Sequence, residues 1–505
     1  MKKIIILLFI FTVGFYSCED NLDITNPNEV TNESFWLNET DAIKGVNSCY
    51  STLHRPGFSR WQPMLYDLRS DVGASYSPWS DLANAMNNFI QPDSNFGPVV
   101  DVYFDNYVGI FRANQVIANV PNIEMDEQLK SRILGEAYFF RGMHYYHLAS
   151  LWGNVVLQLE PSKPTDLASN ASEAEVWAQV VSDLKEATSR LPKTYSDAND
   201  KGRITKGGAS ALLAKAYMQV KDYPSAKSAL DYFFIGEGTN VYDLVADYSD
   251  NFKVTSEFNK ESVIEWSYIE NPTEGTDNDV ASANHNFGTS IGQFYAPPGI
   301  GWSDGEALRW VTGEFEIEKT ISNQRDPRLA ATYLYDYTDE AGPTSTMVYG
   351  LTWAQRYGTT NNRVFFRKFL HDHIRDFEGY RGINNYRFIR FADVLLMYAE
   401  CLNATNSTND AYQYVNRVRS RAGLGPLPTG LSQQAFLTQL KHERLLELTG
   451  EGHRFNDLKR WSDLGPALGS KDTGFNNFVI GKHELLPIPQ RDLDINPNMT
   501  QNPGW

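Results

Sequence analysis

The stretch from Phe388 to Trp461 decides the fold. It reads FIRFADVLLMYAECLNAT (388–405), then NDAYQYVNRVRSRAGLGPL (409–427), then LSQQAFLTQLKHERLLELTGEGHRFNDLKRW (431–461). Leu395, Tyr398, Ala399 and Leu402 recur at helical spacing, as do Ala411, Val415 and Val418. Gly423, Gly425 and Pro426 stop the second helix. Leu437, Leu440, Arg444, Leu445 and Leu448 run down a third, which ends at Gly450. Small Ala399 and Ala411 sit where two helices of a hairpin would touch.

The same pairing recurs upstream. In TKGGASALLAKAYMQVKDYPSAKSALDYFF (205–234), Ala214 and Ala226 stand as far apart as Ala399 and Ala411. Tyr217, Leu230 and Phe233 take the offsets of Leu402, Val415 and Val418. Small residues on both helices with a large one between them form the tetratricopeptide-repeat pattern. Further helices are expected over 39–53, 99–120, 126–152 and 172–191. The predicted class is mainly α, a helical repeat scaffold with a large loop-rich insertion.

Several phrases resemble the signature of the SusD/RagB outer-membrane lipoproteins. They are ADVLLMYAE (392–400), NRVRSRAGL (416–424) and ERLLELTGEGHRFNDLKRW (443–461), with GEAYFFRGMHYYHLASLWGNVVL (135–157) before them and LLPIPQRDLDINPNMTQNPGW (485–505) after. They stand in family order over nearly the whole chain. The resemblance implies one SusD-like domain over 36–505. Its scaffold would be 36–235 and 388–465, its inserted ligand-binding lobe 236–387, and its extended C-terminal tail 466–505. It also implies a glycan-binding protein that caps a SusC-like TonB-dependent transporter.

Composition fits a protein of this kind. Of 505 residues only three are cysteine, too few for a disulfide framework, and the formal charge is −17. With no basic run, nucleic acid and anionic membranes are poor partners. Lys2 and Lys3 precede an apolar run, Ile4 to Val13, so residues 1–17 read as a signal peptide too short to span a bilayer. Cys18, following Ser17, reads as a lipidation site, and 18–35 as the lipidated tether. The expected location is the extracellular face of the outer membrane, lipid-anchored.

Glycan recognition needs flat apolar faces with hydrogen-bonding groups beside them. Pro56 to Phe96 reads as a long aromatic loop region. Within it Tyr76-Ser77-Pro78-Trp79-Ser80-Asp81 is one candidate. Tyr295 to Asp304 is the richer one, with Gly and Pro holding Trp302 on a loop and Asp304 as acceptor. Trp353 and Tyr357 follow. The resemblance places the family's site in these two regions, so the role passes first to Trp79 and Trp302. Trp61, Trp266, Trp310, Trp152, Trp177 and Trp461 are assigned to the core. Neither loop carries a Lys/Arg cluster, which points to a neutral glycan, with a β-glucan as the specific suggestion.

Enzyme-like patterns carry other readings. Glu443, Glu447 and Glu451 would serve a glycosidase as acid and base, but interleaved Arg444, Arg454 and Arg460 make an ion-pair network the better reading. His442-Glu443 opens a zinc motif that Leu446 breaks. His371-Asp372-His373 and Asp197 to Gly202 are metal-like patterns that solvent exposure or a mismatched ligand explains. Asp277, Asn278 and Asp279 are an oxygen cluster for a structural calcium; no other cofactor is expected. Cys49 and Cys401 read as small buried hydrophobes, their pairing left open. The alternatives are a secreted glycoside hydrolase and a protein-interaction scaffold with its tryptophans in the core.

Overall fold

A computed structural model of the chain describes residues 35–90, 94–163, 165–270, 287–336, 347–358 and 362–505. The expected signal peptide, Cys18, the expected tether up to residue 34 and the cluster Asp277, Asn278 and Asp279 lie outside the described residues.

The fold is mainly α. Helices Gly97–Asn119, Glu127–Leu151, Glu173–Arg190 and Lys206–Gln219 pack each on the next in an antiparallel series. Local chemistry sets their ends. Ser172 and Glu175 form a reciprocal capping box, satisfying two backbone donors that a helix start leaves free. Gly423 (φ 76°) and Gly450 (φ 78°) hold the left-handed geometry expected of helix stops.

The two sequence repeats become two hairpins, Lys206–Gln219 with Tyr223–Phe234 and Phe391–Ala404 with Thr408–Arg421. Ala214, Ala226, Ala399 and Ala411 are all fully buried, which lets the helices approach closely. The hairpins also pack on each other, and Phe234 stacks on Tyr398 with centroids 4.3 Å apart. The chain therefore leaves the scaffold near 235 and rejoins it beside the same helix. Strands β1 (Gly73–Ala74) and β2 (Ser262–Trp266) are the first two in chain order, followed by β3 (Glu306–Ala307), β4 (Tyr333–Tyr335), β5 (Met347–Val348), β6 (Leu351–Thr352), β7 (Val364–Phe366) and β8 (Tyr386–Arg390). β2 pairs antiparallel with β8 and staples the departing chain to the returning one.

Two expectations need correcting. Pro56 to Phe96 is not a long loop: it contains a π-turn over Gly57–Trp61 and helices Gln62–Leu68 and Ser80–Ala85. Every residue from Gly57 to Leu68 is buried, so no apolar/polar period exists there to read. The inserted region is more regular than expected, since β3, β7 and β4 join β1 in a sheet of order β1-β3-β7-β4.

The helical signature is locked by buried charge. Arg390 reaches Glu261 at 2.5 Å, Glu447 at 2.9 Å and Glu451 at 2.8 Å. Arg328 reaches Glu443 at 2.6 Å and Glu447 at 3.1 Å. Arg444 bridges Asp393 and Asp457, each at 2.8 Å. Such groups survive burial because each ion has counter-ions and hydrogen bonds replacing its lost water.

Candidate functional site

The sheet creates the site. β1 and β3 run antiparallel with Ala74 opposite Glu306, so the segment leaving β1 and the segment entering β3 meet at one edge. The first carries Tyr76, Ser77 and Trp79; the second carries Trp302, Ser303 and Asp304. Burial pushes the Asp304 carboxyl above its ordinary range, and Ser77 lies near enough to that carboxyl to oppose part of the rise.

Both tryptophans are partly exposed. Trp302 is 55% exposed; its backbone N–H donates to the Gln293 carbonyl at 2.8 Å and its indole N–H to the Tyr380 hydroxyl at 3.1 Å. Gly301 permits this, because a Cβ there would lie 2.4 Å from the Gln293 carbonyl oxygen. Trp79 is 40% exposed, with its ring against Phe96 at 5.1 Å and edge-on to Trp61 at 6.1 Å. Tyr76 is exposed beside them.

A run of rings joins the two indoles. Trp61 packs on Phe294 at 4.7 Å, and Phe294 on Tyr380 at 5.9 Å, which accepts from Trp302. Arg60 lies among them, its guanidinium carbon 5.3 Å from Trp61, 5.2 Å from Phe294 and 4.8 Å from Tyr380. Arg363 borders the site, ion-paired with Glu306 and donating to Ser303 Oγ at 3.1 Å. The result is an open aromatic surface with polar groups at intervals. The larger clefts lie elsewhere, including one of about 300 Å³ lined by Asp247, Arg367 and His373.

Three nominated residues do not present themselves to a ligand. Tyr295 is fully buried at the end of helix Ile291–Tyr295, donating to Asp67 at 3.3 Å between Phe366 and Phe369. Trp353 is buried against Tyr357 and Phe365, and Tyr357 is spent on the Pro298 carbonyl at 2.9 Å. Asp304 is buried, and its backbone N–H donates to the Phe294 carbonyl at 2.8 Å. What the sequence reading missed are Arg60, Phe294 and Tyr380, with Trp61 placed in the core as expected but supporting the surface from below. Only the Gly379-Tyr380 step hinted at a presented ring. The two loops carry no Lys/Arg cluster, as read, and Arg60 and Arg363 reach the surface from outside both.

The enzyme-like patterns resolve into structure. Glu443, Glu447 and Glu451 are buried in the ion-pair network. Asp200 is taken by Arg132 at 2.7 Å and Arg203 at 2.6 Å. His371 donates from Nδ1 to Glu378 at 2.7 Å and accepts two backbone N–H groups at Nε2. Among the described residues no group of three or more His, Cys, Asp or Glu is arranged for a metal. Cys49 and Cys401 are both free and buried, and burial pushes the Cys49 thiol up to about 12.

Comparison with known proteins converges on one group. Residues 260–505 match the family described as the SusD family, and residues 22–218 match one described as starch-binding associating with outer membrane. The SusD-like protein P25 of Formosa agariphila is 26% identical, the match covering 99% of this chain and 98% of that protein. A SusD superfamily protein from Bacteroides vulgatus superposes with a TM-score of 0.82 at 27% identity, covering 93% of this chain and all of that one. A laminarin-binding SusD-like protein superposes with a TM-score of 0.75 at 29% identity, with the same coverage. Among the described residues no helix is long and apolar enough to cross a membrane.

Proposed function

The chain belongs to the SusD family of carbohydrate-binding, outer-membrane-associated proteins, and from that membership we propose that it captures oligo- or polysaccharide at the cell surface and hands it to a SusC-like TonB-dependent transporter. One observation carries the reading: two partly exposed indoles from distant parts of the chain lie on the segments that leave β1 and enter β3, two strands that pair with each other. A sugar's C–H face stacks on each ring, and hydroxyls meet the polar groups between them. Residues 236–387 supply the second loop, and the scaffold holds both rigid. Lipidation at Cys18 would keep the protein on the outer face. The protein binds and does not hydrolyse; shallow stacking lets the cargo leave again.

For the backbone of the ligand the laminarin-binding relative supports a β-glucan type of chain. The test is electrophoresis through native gels containing polysaccharides, laminarin first, with an assay for reducing ends beside it. Retardation without new reducing ends is expected, and its loss in Trp302→Ala. New reducing ends would favour a glycoside hydrolase. An unretarded protein on every glycan would favour a scaffold for protein partners.

A further inference from the structure

Arg60 differs from the three ion-paired arginines Arg55, Arg363 and Arg491. Arg55 has Asp105, Arg363 has Glu306 and Arg491 has Asp492 as a carboxylate partner. Arg60 has none within 4.0 Å among the described residues. Its side chain makes one hydrogen bond, from Nε to Ser290 Oγ at 2.8 Å, which aims the guanidinium along the ring strip. The residue is only 8% exposed, yet its Nη groups are not sealed off from solvent. A guanidinium so deeply placed and without an acid is costly, and burial pulls Arg60 below its ordinary value. The three ring faces around it offset part of that cost.

We infer that Arg60 is a specificity-determining residue and that the glycan bound here carries an anionic substituent, a carboxylate or sulfate, which its Nη fork accepts. This rests on the glycan-binding reading and narrows it. The argument is one of charge balance. A wholly neutral chain lying on Trp79 and Trp302 would strip the remaining water from the guanidinium and return no counter-charge. An oxyanion restores the balance and matches the planar donor fork bidentately. Asp101, whose charge reaches Arg60 without an ion-pair contact, is spent accepting from the Trp61 indole at 3.1 Å. The net charge of −17 opposes an acidic glycan only at long range, and physiological salt screens it beyond about 8 Å.

Two pairs of polysaccharides sharing a backbone and differing in charge test it by affinity electrophoresis. They are laminarin with carboxymethyl-laminarin, and methyl-esterified pectin with polygalacturonate. The charged member should bind about tenfold more tightly, the fold-change of one charge-assisted hydrogen bond. Its advantage should shrink in raised salt. Arg60→Gln should erase the difference within each pair, and Arg60→Lys should keep part of it, since the charge stays and the fork goes. Should the Gln variant fail to fold, wild-type charge preference and the Lys variant decide alone. Equal binding of both members, or an equal loss on both in Arg60→Gln, overturns the role of Arg60 and leaves glycan capture standing. An unretarded wild type on all four sinks both.

Discussion

The C-terminal signature and the aromatic surface are built from the same residue types to opposite ends. At the signature, Arg390 and, reaching in from the inserted lobe, Arg328 are each answered by several carboxylates and have no exposure. On the surface, Arg60 is answered by three rings and a hydroxyl. Trp152 and Trp266 fill the core, whereas Trp79 and Trp302 are partly exposed. A frame spends its polar groups on one another, and a binding surface keeps some unspent. Which role a residue takes is thus a matter of partners rather than of residue type.

The largest effect should come from breaking the frame. Glu447→Ala leaves Arg328 and Arg390 short of a counter-ion in the interior and should cost about 3–5 kcal/mol in urea unfolding. Glycan affinity of the fraction still folded should not change. An affinity loss in that variant would show the two regions to be coupled.

Acid should act on the frame first. Burial alone would raise Glu447, but Arg421, Arg390 and Arg328 hold it down at about 2, against an ordinary 4.5. Its folded value is depressed, so its contribution is complete above 4.5 and lost as pH falls toward 2. Burial lowers His147 to about 3; with the Lys215 charge it lowers His453 to about 4, against an ordinary 6.5. Both are neutral in the fold and protonate on unfolding, so on their own they weaken the fold as pH drops below 6.5. Asp67 and Glu257, which burial raises to about 7, take up protons in the fold and oppose the histidines, so the melting temperature should fall most steeply below pH 4.5, and Glu447→Gln should flatten that part of the curve.

Tyr295 sharpens the comparison from inside the lobe. Tyr295→Phe removes the bond to Asp67 and should cost about 1 kcal/mol of stability with glycan binding intact. Weakened binding at unchanged stability would return Tyr295 to the ligand site. At the small end, Trp302→Ala should shift stability by no more than about 0.5 kcal/mol, since it empties no core.

The frame was legible where burial is one-sided. Ala411, Val415 and Val418 mark a stripe because solvent touches the other face of Thr408–Arg421, whereas Phe391–Ala404 is buried nearly all round and is marked by its length and by the alanines where the helices meet. Gln62–Leu68 was not legible, because it is wrapped on every side and shows no stripe. Of the candidate surface, the exposure of Trp79 and Trp302 was legible from the Pro and Gly around them. Tyr295 misled, because a one-turn helix ahead of Ala296-Pro297 turns it inward. Arg60 was hidden by distance along the chain: Ser290, Phe294 and Tyr380 reach it only after the sheet has formed.

The most direct measurement is calorimetric titration of the double variant Trp79→Ala/Trp302→Ala with the glycan that retards the wild type, alongside its thermal melt. The account predicts binding lost and melting within a few degrees of wild type. Undiminished binding, or a variant that no longer folds, would contradict it, because the two rings would then belong to the frame and not to the ligand.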